Sequence, residues 1–310
     1  MATAKKYRNW EKLGKAAGGE KWFLVDGQAI YGSESMFASL PHCLIGDDCP
    51  VEESPTELFN GYPVNSLDYE SCSTLDLSFK GVAEYLPSPA IPDEAGWMNT
   101  VLFKKDSLWV SDNEICLKVS ASIQERHNLC FAVPRDAAKI LKSATSSIVA
   151  MRVSETEVSF EFSDQSIFTF KQVPNGWIDL QSWFDGWSGP NSQSGPDHEL
   201  PIFSGDIARI VLGLIDKSGA KFVTFRKDNI DVLDKDGNCF FTHPFSFLEV
   251  NEPATFGVKS LKKVMKMMQE GVRDELEPHL DLRYAPYPTR FWFVDKQGRL
   301  VHGLLSCHGA

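Results

Sequence analysis

The sequence predicts an α+β fold assembled from repeated strand–helix–strands units, and three observations carry that prediction. The stretch 129–170 reads as an apolar strand (Leu129, Phe131, Val133), a short helix over 134–144, and strands over 148–153 and 157–170. Within that helix Arg135, Lys139 and Lys142 fall on one face, while Ala137, Ile140, Leu141 and Ala144 fall on the other. The pattern then recurs. The short β runs Phe23-Leu24-Val25-Asp26-Gly27, Leu102-Phe103-Lys104-Lys105-Asp106, Thr224-Phe225-Arg226-Lys227-Asp228 and Phe291-Trp292-Phe293-Val294-Asp295 are each followed within five residues by a second β run. An internal repeat of roughly 45 to 60 residues is the plainest organisation.

At 310 residues the chain has room for two or three domains. A hydrophobic share of 43% and an aromatic share of 12% belong to a folded globular protein. There is no run of about eighteen apolar residues, and residues 1–15 are polar and basic with no apolar segment behind them. No membrane partner is expected, and a soluble, cytoplasmic protein is. The seven cysteines are scattered and form no C-x-x-C pair. Most lie in apolar runs, as in Ile115-Cys116-Leu117, where a thiol acts as a small hydrophobe in a reducing compartment.

Taken in order, residues 5–17 predict a helix with Trp10, Leu13 and Ala17 on one face and Lys5, Arg8, Lys12 and Lys15 roughly opposite. A hairpin follows over 22–31, and the acidic, Pro/Gly-bearing segment 46–66 reads as a boundary. A strand near 74–77 and a helix over 79–86, bearing Lys80, precede a proline-rich loop; strands over 98–103, 108–111 and 115–119 lead into the 129–170 unit. Residues 175–201 are rich in Gly, Ser, Pro and Asn yet carry Trp177, Trp183, Phe184 and Trp187, the composition of a connector that pins aromatics to a surface.

Residues 206–217 predict a helix with Ile207, Ile210, Val211 and Leu214 inward and Arg209 outward, followed by strands over 222–226, 230–233 and 238–242. A strand over 255–258 then leads into the clearest helix of the chain, 259–268. Its Lys259, Lys262, Lys263 and Lys266 stand at i, i+3, i+4 and i+7, with Val258, Leu261, Val264, Met265 and Met268 on the reverse face. A hairpin over 290–305 closes the sequence. The units pair as 67–121 with 128–175 and as 197–250 with 252–308, behind a leading unit at 1–44.

The net charge of −11 argues against nucleic acid until its distribution is considered. Three of these helices collect Lys and Arg on one face, so the remainder of the chain is still more acidic than the total. Such a surface holds a polyanion at one place and repels it elsewhere. Taken singly, each stripe is only a solvated helix face; three repeats of the pattern point to a shared anion-facing surface. No zinc finger, RNP-like strand or helix-turn-helix accompanies the stripes, so phosphate contact without sequence choice is expected.

Enzymatic readings find little. Asp234-Lys235-Asp236-Gly237-Asn238 lacks the remaining positions of a calcium loop and reads as a hairpin turn. His302 and His308 near Cys307 lack metal-site spacing, and there is no phosphate loop or G-x-S-x-G. No catalytic residue, cofactor or metal is expected.

With these units in place, the chain resembles the DNA sliding clamp family, the ring-shaped polymerase processivity factors. The likeness lies in the segments 102–113 (Leu102-Phe103-Lys104-Lys105-Asp106 onward), Phe131-Ala132-Val133-Pro134-Arg135-Asp136-Ala137-Ala138-Lys139-Ile140-Leu141, and 168–177 (Phe168-Thr169-Phe170-Lys171 onward). It covers 67–310 well and 1–66 loosely. The resemblance implies helices lining a ring channel, sheets outside, and double-stranded DNA threaded through. On this sequence it places Arg135, Lys139, Lys142, Lys259, Lys262, Lys263 and Lys266 toward the channel, with Arg209, Lys80 and Lys12 as further candidates. It also implies a DNA polymerase and a clamp loader as partners, bound as short peptides, for which Trp183, Phe184 and Trp187 are candidates; the same aromatics otherwise serve to anchor the connector. A division into 1–66 (a half unit or appendage), 67–187 and 188–310 gives two clamp domains per chain and favours a trimeric ring; a dimer follows if 45–66 is an eroded partner of 1–44. The competing readings are a monomeric, non-specific DNA-binding accessory factor with clamp-like domains and, further off, a metal-dependent enzyme.

Overall fold

The computed structural model describes residues 8–19, 22–25, 27–33, 35–45, 52–53, 70–72, 100–104, 107–111, 114–120, 130–153, 156–172, 205–217, 219–246, 250–270, 278–282, 288–296 and 298–308. It separates into two compact units, the first formed by Met1–Leu86, Ile91–Leu108 and Ala121–Gly176 and the second by Pro87–Ala90, Trp109–Ser120 and Trp177–Ala310.

The first unit contains helix α1 (Arg8–Ala16), strands β1 (Trp22–Val25), β2 (Gln28–Gly32), β3 (Met36–Pro41), β4 (Glu52–Glu53), β5 (Glu70–Cys72) and β6 (Thr100–Lys104). Beyond β7 (Ser107–Ser111), which carries the chain into the second unit, and β8 (Ile115–Ser120) of that unit, it resumes with β9 (Cys130–Pro134), helix α2 (Arg135–Lys142), β10 (Ile148–Val153), β11 (Glu157–Phe162) and β12 (Ile167–Lys171). Its main sheet has eight strands in the order β4-β1-β2-β3-β12-β11-β10-β5, antiparallel except where β4 joins β1. Strand alternation sends Val158, Phe160 and Phe162 of β11 and Phe168 and Phe170 of β12 to one face, where all five are fully buried. Each such side chain contributes about 1.5–3 kcal/mol by leaving water.

Helix α1 packs on β2 and β3 through Trp10, Leu13 and Ala17, the predicted apolar face. A Cβ on Gly14 would lie 2.5 Å from the Tyr31 ring, so glycine is what lets the helix approach β2 this closely. Buried Asn9 donates to Ser166 Oγ at 3.0 Å and accepts from the Thr145 amide at 2.8 Å. Together with the β3–β12 ladder, in which Phe37 faces Thr169, these bonds make the leading segment continuous with the 130–172 unit.

The second unit holds helix α3 (Gly205–Ile215), strands β13 (Phe222–Phe225), β14 (Asn229–Leu233), β15 (Cys239–Pro244) and β16 (Ala254–Gly257), and helix α4 (Val258–Glu270). Strands β17 (His279–Leu280), β18 (Thr289–Val294) and β19 (Leu300–Leu305) complete it. One sheet runs β15-β14-β13-β16, with α4 following β16 directly and packing against α3. A second ladder runs β17-β18-β19-β8. In the β18–β19 hairpin Gly303 faces Phe291, whose ring occupies the space a side chain at 303 would need. Asp295 closes this hairpin: it accepts from the Arg299 amide at 2.8 Å and from its guanidinium at 2.7 Å, nearly sealed from water.

Two expectations are corrected. The single strand expected over 157–170 is the hairpin β11–β12. Its turn is held by Asp164 Oδ1, which accepts from the Ser166 amide and hydroxyl, and by Gln165 at φ +68°. The inward face of α3 is rotated: Ala208, Val211, Leu214 and Ile215 are buried, whereas Ile207 and Ile210 are half-buried. Strands β3, β4, β5 and β17 were not anticipated. The strand expected near 74–77, the helix expected over 79–86 and the connector over 175–201 lie outside the described residues. Among those described, no helix is long and apolar enough to cross a membrane.

Candidate nucleic-acid interface

The lysine stripe on α4 is the best-formed part of the site. At 100° per residue, Lys262, Lys266, Lys259 and Lys263 span an arc of about 100°. Lys259 and Lys266, at its centre, are exposed, and Lys262 and Lys263, at its margins, are half-buried. The opposite arc, Leu261, Val264, Met265 and Met268, is fully buried. The apolar arc fixes the helix rotation, and rotation sets the lysines outward. Neither Lys259 nor Lys266 makes an ion pair among the described residues, so their charges are available to a ligand.

The other predicted cations fare differently. Arg209 on α3 is exposed but held by Asp206 at 3.0 Å, and Lys262 is held by Asp216, just beyond the end of α3. On α2, Lys139 is exposed and paired with Asp136 at 3.1 Å. Arg135, expected on the same open face, is buried at 8% exposure; the expectation that it reaches outward is corrected. It stands at the first position of a short helix, one turn before buried Ala138, where a long side chain can bury its apolar stem. Lys142 is the last residue of α2. Lys12 on α1 is exposed, and its neighbour Lys15 is paired with Glu11 at 3.0 Å. Lys80, Trp183, Phe184 and Trp187 lie outside the described residues.

All four of these ion pairs are open to solvent, and exposed pairs of this kind contribute about 0.2–1 kcal/mol or less. Sequence reasoning missed their acidic members. Three were legible as i,i+3 or i,i+4 partners of a predicted cation; the Asp216–Lys262 pair had no local signal, being 46 positions apart.

The residues weighed for other chemistry are dispersed. His302 on β19 faces Lys118 and is held down to about 4 by burial and by the charges of Lys118 and Arg290. Burial pushes the Cys307 thiol up, with Thr289 Oγ1 at 3.5 Å, and His308 packs edge-on against Phe222. Asp234 accepts from the amides of Asp236 and Asn238 at 2.8 and 2.9 Å, which is the expected hairpin turn. Among the described residues no three His, Cys, Asp or Glu side chains converge as metal ligands would.

No family model and no curated protein matches the sequence. Solved structures do match. The sliding clamp of Pseudomonas aeruginosa DNA polymerase is similar over 99% of this chain and 98% of its own, at 11% identity and a TM-score of 0.65. The Bacillus subtilis sliding clamp is similar over 99% and 96%, at 9% identity and 0.60. A Helicobacter pylori β clamp bound to a DNA ligase peptide is similar over 93% and 78%, at 10% identity and 0.58. Sequence identity is low throughout while the cover is nearly end to end, and on that ground the chain has the DNA sliding-clamp fold.

Proposed function

We propose that this chain is a subunit of a sliding clamp, a non-enzymatic processivity factor that encircles duplex DNA without reading its sequence and tethers a replicative polymerase in the cytoplasm. The observation that carries the proposal is the α4 stripe: Lys259 and Lys266 stand exposed on a helix of a clamp fold, backed by a fully buried apolar arc. Cations on stiff helix faces suit phosphate contact, and no base-reading element accompanies them. Arg209, Lys262 and Lys263 of the second unit and Lys12 and Lys139 of the first are proposed as further phosphate contacts, with Lys80 and Lys142.

A ring needs edges that meet. Among the described residues the outer side of β15 pairs with no strand, and the bulge on this edge presents Phe240, the one large apolar side chain that is exposed. This supports closure by a second copy. Because the leading unit is continuous with the sheet through β3 and β12, it counts as ring wall, which favours two copies over the three expected from two domains alone. Trp183, Phe184 and Trp187 remain the proposed seat for partner peptides of the polymerase and clamp loader; that a chain of this fold takes a peptide at all is supported by the Helicobacter pylori clamp bound to a DNA ligase peptide.

The test compares retention on closed circular and linear duplex, with native mass measured alongside. A clamp stays on the circle, slides off the linear ends and has the mass of a closed oligomer; Lys259→Glu with Lys266→Glu abolishes retention while the fold persists. A monomer that binds short linear duplex equally well, with a steep salt dependence, supports the accessory-factor reading instead.

A further inference from the structure

Resting on the DNA-facing role just proposed for the helices, we propose that Asp136, Asp206 and Asp216 are displaceable counter-anions: each occupies a cation, Lys139, Arg209 and Lys262 respectively, until a phosphate takes its place. The grip on DNA is thereby moderated so that the chain can move along the duplex.

The pairing is systematic. On α2, α3 and α4 alike, one predicted phosphate contact is already engaged by a carboxylate of the same chain. The aspartates are well exposed, at 73%, 80% and 60% for Asp136, Asp206 and Asp216, so solvent screens the pairs and opening them requires no repacking. A helix-dipole role accounts for Asp136 and Asp206, which lie in first turns, but not for Asp216. Asp216 follows the last residue of α3, where the helix end already carries partial negative charge, and its evident counterpart is Lys262 on the neighbouring helix. A cation that leaves a fixed carboxylate to meet a phosphate also leaves that carboxylate facing the phosphate. Such a contact is weaker than one made by Lys259 or Lys266.

The full-length protein is compared with Asp136→Asn/Asp206→Asn/Asp216→Asn, with Asp216→Asn alone, and with a charge-matched control, Asp228→Asn/Asp236→Asn/Glu252→Gln, at exposed sites away from these helices. The readouts are duplex affinity against salt and the diffusion of single molecules along DNA. The helix triple should bind more tightly, with a salt slope steeper by roughly 0.9 per freed cation, and should diffuse more slowly. Asp216→Asn alone should show about a third of that change. The proposal is overturned if the control tightens binding as much, since bulk charge then suffices, or if the helix variants leave affinity, slope and diffusion unchanged. Lys259→Glu/Lys266→Glu is run in parallel. If it leaves retention intact, the DNA-facing reading itself fails; if it abolishes retention while the aspartate variants change nothing, only the counter-anion role fails.

Discussion

Helices α2 and α4 read almost alike as sequence, each with a greasy side and a cationic side, yet the fold uses them differently. In α4 a buried arc of four apolar residues sits opposite four lysines, and the two central lysines stand free in solvent. In α2 the first cation of the face, Arg135, is buried, and Lys139 is engaged by Asp136. Periodicity fixes which residues share a face, but the packing around each turn decides whether that face meets water. In a helix of 13 residues the interior turns obey the pattern; in one of 8 residues, end positions dominate and the pattern fails at its first residue.

The largest expected effect breaks the symmetry between the two helices. Reversing Lys259 and Lys266 together should weaken duplex retention at least about tenfold, and far more at low salt, because free surface cations carry the phosphate term. Circular dichroism of the variant should match the parent. Equal retention by parent and variant would place the anion-binding face elsewhere.

The two units also differ in how protons act on them. In the first, burial raises the Glu157 carboxyl on β11 from 4.5 to about 7, so the native state holds this proton more tightly than the unfolded chain. Its contribution is complete below about 4.5 and is lost as the pH rises through about 7. In the second, His302 is lowered from 6.5 to about 4, so its contribution is complete above 6.5 and is lost as the pH falls through about 4. Each is worth on the order of 3 kcal/mol. Hydrogen exchange followed peptide by peptide should therefore show β11–β12 losing protection as pH rises from 4.5 to 7 and β18–β19 losing it as pH falls over a similar range. Glu157→Gln and His302→Gln should each flatten the profile of their own unit alone; a common response of both units would contradict this separation.

Arg135 offers a third discrimination. As a buried side chain it should behave as structure: Arg135→Gln should cost about 1–3 kcal/mol of stability in denaturant unfolding, through lost packing of its stem, with little change in the salt slope of DNA binding. A slope lowered by about one contact, with stability intact, would return Arg135 to the DNA face.

How much of this was legible beforehand follows from the range of each interaction. The limits of β10 were read correctly from 148–153, where a mostly apolar run stands alone between polar turns. The β11–β12 turn was missed because Ser163, Asp164, Gln165 and Ser166 include neither Gly nor Pro; the left-handed residue there is Gln165, in a turn held by the bonds that the Ser166 amide and hydroxyl donate to Asp164, which the identity of Gln165 does not announce. In the site, the α4 stripe was legible because its rotation is set by its own apolar arc. The burial of Arg135 and the Asp216–Lys262 pair depend on residues brought together only by folding, and no local period encodes them.

The smallest effect concerns Lys139, an exposed cation on α2. If its ion pair with Asp136 is as weak as its exposure implies, Lys139→Ala should change stability by no more than about 0.5 kcal/mol. Its effect on duplex affinity should also be slight, within about threefold at physiological salt, because the aspartate already cancels most of its field. In an Asp136→Asn background the same Lys139→Ala change should cost more affinity, since the lysine is then uncompensated. A double-mutant cycle on affinity measures this coupling directly. A coupling of zero would mean that phosphate never meets Lys139, leaving α4 as the principal DNA-facing helix and α2 as a structural one.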